Sequence, residues 1–313
     1  MLQVIGTWLA AGLAASSPAP ATTPAGDAQP TEPGVRTWPV TPQPGAQPGI
    51  PAEINTADDL LLALERTGED LRTLQAGIRY TKVFALAGDE QIRTGKLYYR
   101  DEGAPGIVEP GQPGPAGRAF AVHFETLQLG RGEGARLDRE ERSYIFDGEW
   151  LVEKMPEARQ MIKRQVVPPG QRFDPLRVGE GPFPIPIGQK RSEILERFEA
   201  ELVDAADELE LIDPTGALAA RVARTPANQV RLMPRSAYAD ELKLAEIRLW
   251  YRADTLLPFL AWTLTSAEDE SIVELIGVKT NEFLPAGVMD TRSPDRGWDV
   301  EIREWRGSVE GSP

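Results

Sequence analysis

A run of alternating apolar and polar residues constrains this chain more than anything else in it, and it is clearest around a single Asp-Gly pair. In Arg142-Ser143-Tyr144-Ile145-Phe146-Asp147-Gly148-Glu149-Trp150-Leu151-Val152-Glu153, two β-prone runs flank Asp147-Gly148. That dipeptide suits a two-residue hairpin turn, because both central positions of such a turn need positive φ. The expected register sets Ile145 opposite Trp150 on one side of the ribbon. On the other side it sets Tyr144 opposite Leu151 and Arg142 opposite Glu153, so that Phe146 and Trp150 lie on opposite faces. A third β run, Arg159–Arg164, follows the break at Met155-Pro156-Glu157 and extends the hairpin to a meander.

The same period of two recurs on both sides of this meander. Ile78, Tyr80 and Phe84 alternate with Arg79, Thr81 and Val83, and Gly95–Arg100 follows a turn at Ala87-Gly88-Asp89. Phe120, Val122 and Phe124 alternate with Ala121, His123 and Glu125, which points His123 away from the apolar face. Further on come Val230–Arg235, then Ala245, Ile247, Leu249 and Tyr251 against Glu246, Arg248 and Trp250. Leu256, Leu260, Trp262 and Leu264 alternate with Phe259, Ala261 and Thr263. Ile272–Thr280 is another strand, and Trp298, Val300 and Ile302 close the pattern. So much alternation predicts a large antiparallel sheet with one apolar and one wet face. Such a sheet must curl, and something must cover its concavity.

Two helices are available to do so. Thr56 reads as an N-cap with Asp58 and Asp59 in the first turn, followed by an apolar stripe of Leu60, Leu61, Leu64, Leu71 and Leu74. Ser192 is expected to cap a second, short helix carrying Ile194, Leu195 and Phe198. Between that helix and Val230, a strand is expected near Ala200–Val203, then an acidic, irregular insertion over 204–228. The Gly/Pro-rich stretch 101–117 reads as a long surface loop, and prolines at alternate positions hold 179–188 extended. Two helices are too little to fill the concavity of so large a sheet, which predicts an apolar cavity.

Residues 1–21 read as a signal peptide, although no basic residue precedes the apolar core, and 22–52 as a Pro-rich disordered linker. The folded domain is placed at 53–307, with a tail at 308–313. The chain of 313 residues carries a net charge of −14, which argues against nucleic-acid backbones as partners. It has no cysteine and one histidine, so thiolate nucleophiles, disulfides, a lipidation anchor and His/Cys metal sites are set aside. A Ser-His-Asp arrangement would require His123, and no Gly-x-Ser-x-Gly elbow accompanies it. The glycine rhythm Gly130–Gly134 lacks a strand-to-helix context.

Taken in order, these stretches resemble the LolA/LolB family of periplasmic lipoprotein carriers and receptors. The resemblance runs from the opening helix through Ile78-Arg79-Tyr80-Thr81, Gly95–Arg100, the hairpin Tyr144–Leu151, Gly181-Pro182-Phe183, Val230–Arg235 and Lys279-Thr280-Asn281. It implies a mainly β (α+β) fold: a curved antiparallel sheet forming an incomplete barrel, covered by lid helices, over an apolar cavity for acyl chains. Phe84, Phe120, Val122, Phe124, Leu249, Tyr251, Leu260, Trp262, Trp298 and Val300 are the expected lipid-binding residues, each of which could equally be plain core. Arg100 matches the family's lid-switch arginine, although Asp101 stands where the family has a proline. The implied protein is non-enzymatic, periplasmic, soluble and monomeric, without cofactor or metal. Its expected partners are an acylated lipoprotein or lipid, an inner-membrane donor and an outer-membrane acceptor. The alternative is a sensor or scaffold module that binds a lipid signal or a partner protein, and a hydrolase stands behind both.

Overall fold

The computed structural model describes residues 53–102, 117–167, 178, 189–294 and 296–305. The expected signal peptide, the linker, the extended 179–188 segment, the 308–313 tail and most of the 101–117 loop lie outside these residues. The chain opens with helix α1 (Ala57–Glu69) and continues into β1 (Thr73–Phe84), β2 (Asp89–Asp101), β3 (Arg118–Leu129), β4 (Arg136–Phe146), β5 (Trp150–Met155) and β6 (Gln160–Gln165). Next come α2 (Arg191–Arg197), β7 (Phe198–Val203), α3 (Leu209–Ile212), α4 (Ala217–Val222) and β8 (Ala227–Pro234). The described chain ends with α5 (Ala239–Leu242), β9 (Leu244–Arg252), β10 (Pro258–Thr265), β11 (Glu270–Thr280) and β12 (Asp299–Arg303). All twelve strands share one open, curved sheet, ordered β12-β6-β5-β4-β3-β2-β1-β11-β10-β9-β8-β7 and not closed into a barrel. Every pairing is antiparallel except that of β12 with β6, which is parallel.

Alternation along each strand sorts the side chains as the sequence predicts. Ile78 and Tyr80 on β1, Leu97 and Tyr99 on β2, and Phe120, Val122 and Phe124 on β3 all enter one core. So do Tyr144 and Phe146 on β4 and Ile247, Leu249 and Tyr251 on β9. This is the concave face. Helix α1 lies on it through Ala57, Leu60, Leu61 and Ala63, with Leu64 packed alongside. The helix begins where Thr56 and Asp59 form a capping box: Thr56 Oγ1 accepts from Asp59 N (3.1 Å), and the Asp59 carboxylate accepts from Thr56 N (3.0 Å).

Four expectations are corrected. Leu71 and Leu74 do not extend the α1 stripe, because the helix stops at Glu69 and Leu74 already belongs to β1. Ser192 is not the cap of α2; Lys190 is, without a side-chain hydrogen bond. The hairpin turns one position later than expected, with Gly148 (φ +105°) and Glu149 at its centre and Asp147 N donating to Trp150 O. Asp147 Oδ1 accepts from both Glu149 N and Trp150 N, which fixes a register of Phe146 opposite Leu151 and Tyr144 opposite Glu153. The slip is two residues, so the faces survive: Phe146 enters the concave core and Trp150 packs on the other side.

The fourth correction is that the convex face is not wet. The expected irregular insertion contains α3 and α4, whose Leu209, Ile212, Leu218 and Val222 cover Trp250, Phe259, Leu260, Trp262 and Ile272. Arg248 is fully buried beneath this cover, paired with Glu246 (2.5 Å), Asp207 (3.0 Å) and Glu208. Arg221 holds α4 down, donating to Glu274 Oε2 (2.5 Å) and Leu275 O (2.6 Å). Farther along, Leu284, Val288 and Met289 of the β11–β12 connection cover Tyr98, Ala121, Ile145, Val152 and Met161.

Gly95 marks a bulge where β2 slips against β3. A Cβ there would run into the His123 carbonyl and come within 2.8 Å of Phe124 Cα, backbone that cannot swing aside. Gly95→Ala is therefore expected to destabilise the protein by about 3 kcal/mol or more, read as a lowered urea midpoint with unchanged slope. A midpoint within the scatter of the parent would contradict the β2–β3 register.

Candidate functional site

The concave face carries the larger of the apolar surfaces that helices cover among the described residues. Its floor carries an aromatic row. Phe120 stacks on Phe146 (centroids 5.9 Å apart), Phe124 meets Tyr144 edge-on (6.3 Å), and Tyr80 lies 6.2 Å from Phe124. Burial raises the pKa of the Tyr80, Tyr144 and Tyr251 hydroxyls, so this surface holds neutral phenols.

The expected lipid-binding residues do not all meet on this face. Phe120, Val122, Phe124, Leu249 and Tyr251 belong to the concave core and are at most 2% exposed. Leu260 and Trp262 face the opposite way, under α3 and α4, and Trp298 and Val300 pack under the β11–β12 connection. Phe84 belongs to neither core; it is half-buried near the end of β1, with Lys82 Nζ 5.7 Å from its ring centroid. In place of these five, Leu60, Leu61, Ile78, Tyr80, Tyr144, Phe146 and Ile247 line the concave core. The strand residues are nearly completely buried in a core that α1 shares through Leu60 and Leu61.

Among the described residues, few directional bonds position α1. At its C-terminal end, Asn281 just beyond β11 takes three groups of the turn into β1. Its Oδ1 accepts from Arg72 N (2.7 Å) and Thr73 N (3.3 Å), and its Nδ2 donates to Asp70 O (3.1 Å). Asn281 sits in the left-handed region (φ +57°), which asparagine tolerates better than most residues. Arg100 is the cross-strand neighbour of Thr73 at this same end, and its Nε lies 3.1 Å from Glu102 Oε1 in an ion pair without hydrogen-bond geometry. The α1–α2 bonds are made by Arg191, whose Nε donates to Asp58 Oδ1 (2.5 Å) and whose backbone N donates to Glu65 Oε2 (3.1 Å). The Arg191 and Asp58 side chains are substantially solvent-exposed, and exposed pairs of this kind add little stability. Asn281 was within reach of sequence reasoning through its place after β11; nothing in the sequence singled out Arg191.

His123 lies on the convex side, as its parity requires. Its Nε2 must donate to the Val288 carbonyl (2.8 Å), which leaves Nδ1 to accept from Ser143 Oγ (2.7 Å). Both nitrogens are spent on tying down the β11–β12 connection. Among the described residues no group of three or more His, Asp or Glu is placed to hold a metal, and no helix is long and apolar enough to cross a membrane.

No family model and no curated protein matches the chain. Among solved structures it is similar to an uncharacterised conserved protein of Thermus thermophilus, at 12% identity and a TM-score of 0.38, over 79% of this chain and 99% of that one. It is also similar to a LolA superfamily protein of Nitrosomonas europaea (10% identity, TM-score 0.30, 76% and 98% covered). A third similarity is to the MucA/MucB complex of Pseudomonas aeruginosa (16% identity, TM-score 0.34, 75% and 61% covered). In architecture the chain is an open, curved, mostly antiparallel sheet with helices packed on it.

Replacing the hinge asparagine tests the first of these fastenings. Asn281→Ala leaves two backbone N–H groups and a carbonyl without their partner and strains the left-handed position. It should cost about 1–2 kcal/mol in chemical denaturation, whereas Asn281→Asp, which keeps the acceptor, should cost less. Equal losses would remove Asn281 as the hinge. Burial depresses the His123 pKa below the ordinary histidine value of 6.5, so the unfolded chain binds the proton more readily. Stability is then full above that value and falls as pH drops through it towards the lower native pKa. Because His123 is the chain's single histidine, His123→Gln should flatten the pH dependence of the thermal midpoint across the histidine titration range. An unchanged slope would contradict its burial.

Proposed function

We propose that this protein is a non-catalytic carrier that takes up the acyl chain of a lipid or lipoprotein on its concave face, with α1 and α2 as the lid. The observation that carries this reading is the mismatch between the two sides of the lid contact. A broad apolar core lies against α1, while the directional bonds that the described residues give the helix are the hinge at Asn281, an exposed Arg191–Asp58 pair and the Arg191 backbone bond to Glu65. An acyl chain that takes the place of Leu60 and Leu61 gains about 0.8 kcal/mol per buried methylene. That exchange needs no covalent step. It leaves the floor covered at every stage, which a carrier that must also release its load requires. Arg100, beside the hinge through Thr73, is positioned to sense whether the turn has moved.

The reading places the protein in the periplasm and gives it a donor and an acceptor membrane protein. A second reading rests on a different feature. Among the described residues the sheet ends in two edge strands, β7 and β12, and an open edge can recruit a partner protein by strand addition. In that case the concave face would be permanent core and the molecule a sensor or scaffold.

Native mass spectrometry of the full chain, incubated with an acylated peptide and with the same peptide lacking its acyl chain, separates the two. The carrier reading expects a complex with the acylated peptide alone, and a weaker one after Leu61→Arg, which puts a charge into the lid contact. It also expects Arg100→Leu to alter retention of the load more than it alters the unfolding midpoint. A mass that stays that of the free protein with both peptides would overturn the carrier and leave the edge-binding scaffold.

A further inference from the structure

The concave face is not apolar from end to end. Along β3 and β4 the cross-strand pairs run Phe120–Phe146, Val122–Tyr144 and Phe124–Arg142, so the aromatic row ends directly at a guanidinium. Arg93, the partner of Tyr80, points to the same place from β2, and Arg164, the partner of Leu151, from β6. Among the described residues Glu140 and Glu153 face these cations, and Glu301 acts on Arg164. Arg93 and Glu140 satisfy each other (Nε–Oε2 2.8 Å), and Lys82 farther along is answered by Asp269 (3.7 Å).

Arg142 is paired more loosely, through two long ion pairs and the Tyr144 hydroxyl, and its Nε lacks a hydrogen bond. Its nearest carboxylate oxygens are on Glu140 (3.7 Å) and Glu153 (3.8 Å), its Nη2 meets the Met155 sulfur (3.5 Å), and the Tyr144 hydroxyl stands beside it. Its Nε is inaccessible to solvent and makes no hydrogen bond among the described residues. A guanidinium held this way costs folding energy, and such groups call for an explanation. In the same corner burial, then the neighbouring Arg303, brings the pKa of the Arg164 guanidinium down to about 10, with Glu153 and Glu301 opposing the shift. All this sits inside a chain of net charge −14, whose surface would repel an anion that was not specifically received.

We infer that the Arg142 end of the concave face is a head-group site, and that the ligand is an anionic amphiphile: an alkyl chain along the aromatic row with a carboxylate or phosphate against Arg142. The inference rests on the acyl-chain reading and names the chemical class it takes. A carboxylate or phosphate oxygen would supply the acceptor that Arg142 Nε lacks, and planar guanidinium groups receive both head groups well. The geometry also orders the ligand, with its tail under α1 and its head towards β4–β6.

The test uses the full chain at neutral pH and three single-chain amphiphiles below their micelle concentrations: dodecyl phosphate, dodecanoate and uncharged dodecyl maltoside, with affinities from titration calorimetry. At least one anionic ligand is expected to bind about tenfold or more tighter than the maltoside, a gap set by charge-assisted hydrogen bonding. Which anion leads distinguishes a phosphate head from a carboxylate. Arg142→Gln should abolish that preference and leave maltoside affinity as it was, while Arg292→Gln, on the exposed β11–β12 connection, should preserve it. Equal binding of all three by the parent protein would overturn the head-group site and leave the acyl site standing. Binding of none would overturn the acyl reading itself. If Arg142→Gln fails to fold, the ranking in the parent protein still decides.

Discussion

A sheet of twelve strands that never closes has two faces to keep from water, and the cover of its concave face is the constraint on which the rest of this structure depends. Paired strands satisfy their own hydrogen bonds, but they cannot bury the aromatic row from Tyr80 to Phe146. Among the described residues α1, seated through Leu60 and Leu61, joins that core together with Ile194 of α2 and Leu242 of α5. Burial of apolar area is non-directional, so it holds the helix down without fixing where. Position comes from a few directional bonds at Asn281 and Arg191. Strong adhesion with sparse positioning is the feature on which the proposed carrier reading rests.

The convex face makes the contrast. There the covering pieces are locked by buried polar groups. Arg248 is sealed under the 204–208 turn against three carboxylates, Trp250 Nε1 donates to Ala205 O (2.8 Å), and Arg221 fastens α4 to β11. A buried, hydrogen-bonded guanidinium is costly to uncover, because opening would strand the charge. The two faces thus use one chemistry to opposite ends. Arg248 is saturated with partners and makes its cover permanent, whereas Arg142 on the concave side lacks a hydrogen-bond partner at Nε among the described residues.

How far the sequence could be read follows from what each residue pattern can distinguish. Period two sorted Phe120, Val122 and Phe124 onto one face because their neighbours are polar or small, and Leu249 and Tyr251 likewise although Trp250 between them is apolar and buried on the other face. It failed for Leu260 and Trp262, since Phe259-Leu260-Ala261-Trp262 is apolar on both parities and buried on both faces, and alternation carries no sign there. Leu71 and Leu74 continued the helical spacing of Leu60 and Leu64 by coincidence, past the end of α1 at Glu69. The acidic composition of 204–228 hid α3 and α4, whose apolar residues are few but mostly inward. The hairpin shifted because Asp147 spends its carboxylate on two backbone N–H groups, a local bond that propensity alone does not reveal. The head-group end of the concave face was out of reach, because Arg93, Arg142 and Arg164 come from three strands and meet only through pairing.

The most direct test of the central claim is hydrogen–deuterium exchange of α1 measured with and without a saturating acylated peptide. If an acyl chain replaces the helix on the concave face, amides of α1 (Ala57–Glu69) exchange faster than those of β1–β3 in the free protein. They should lose still more protection in the complex, while the strands keep theirs. An α1 as protected as the strands, and unchanged when the ligand is bound, would mean that the helix is permanent core and the concave face is not a binding site.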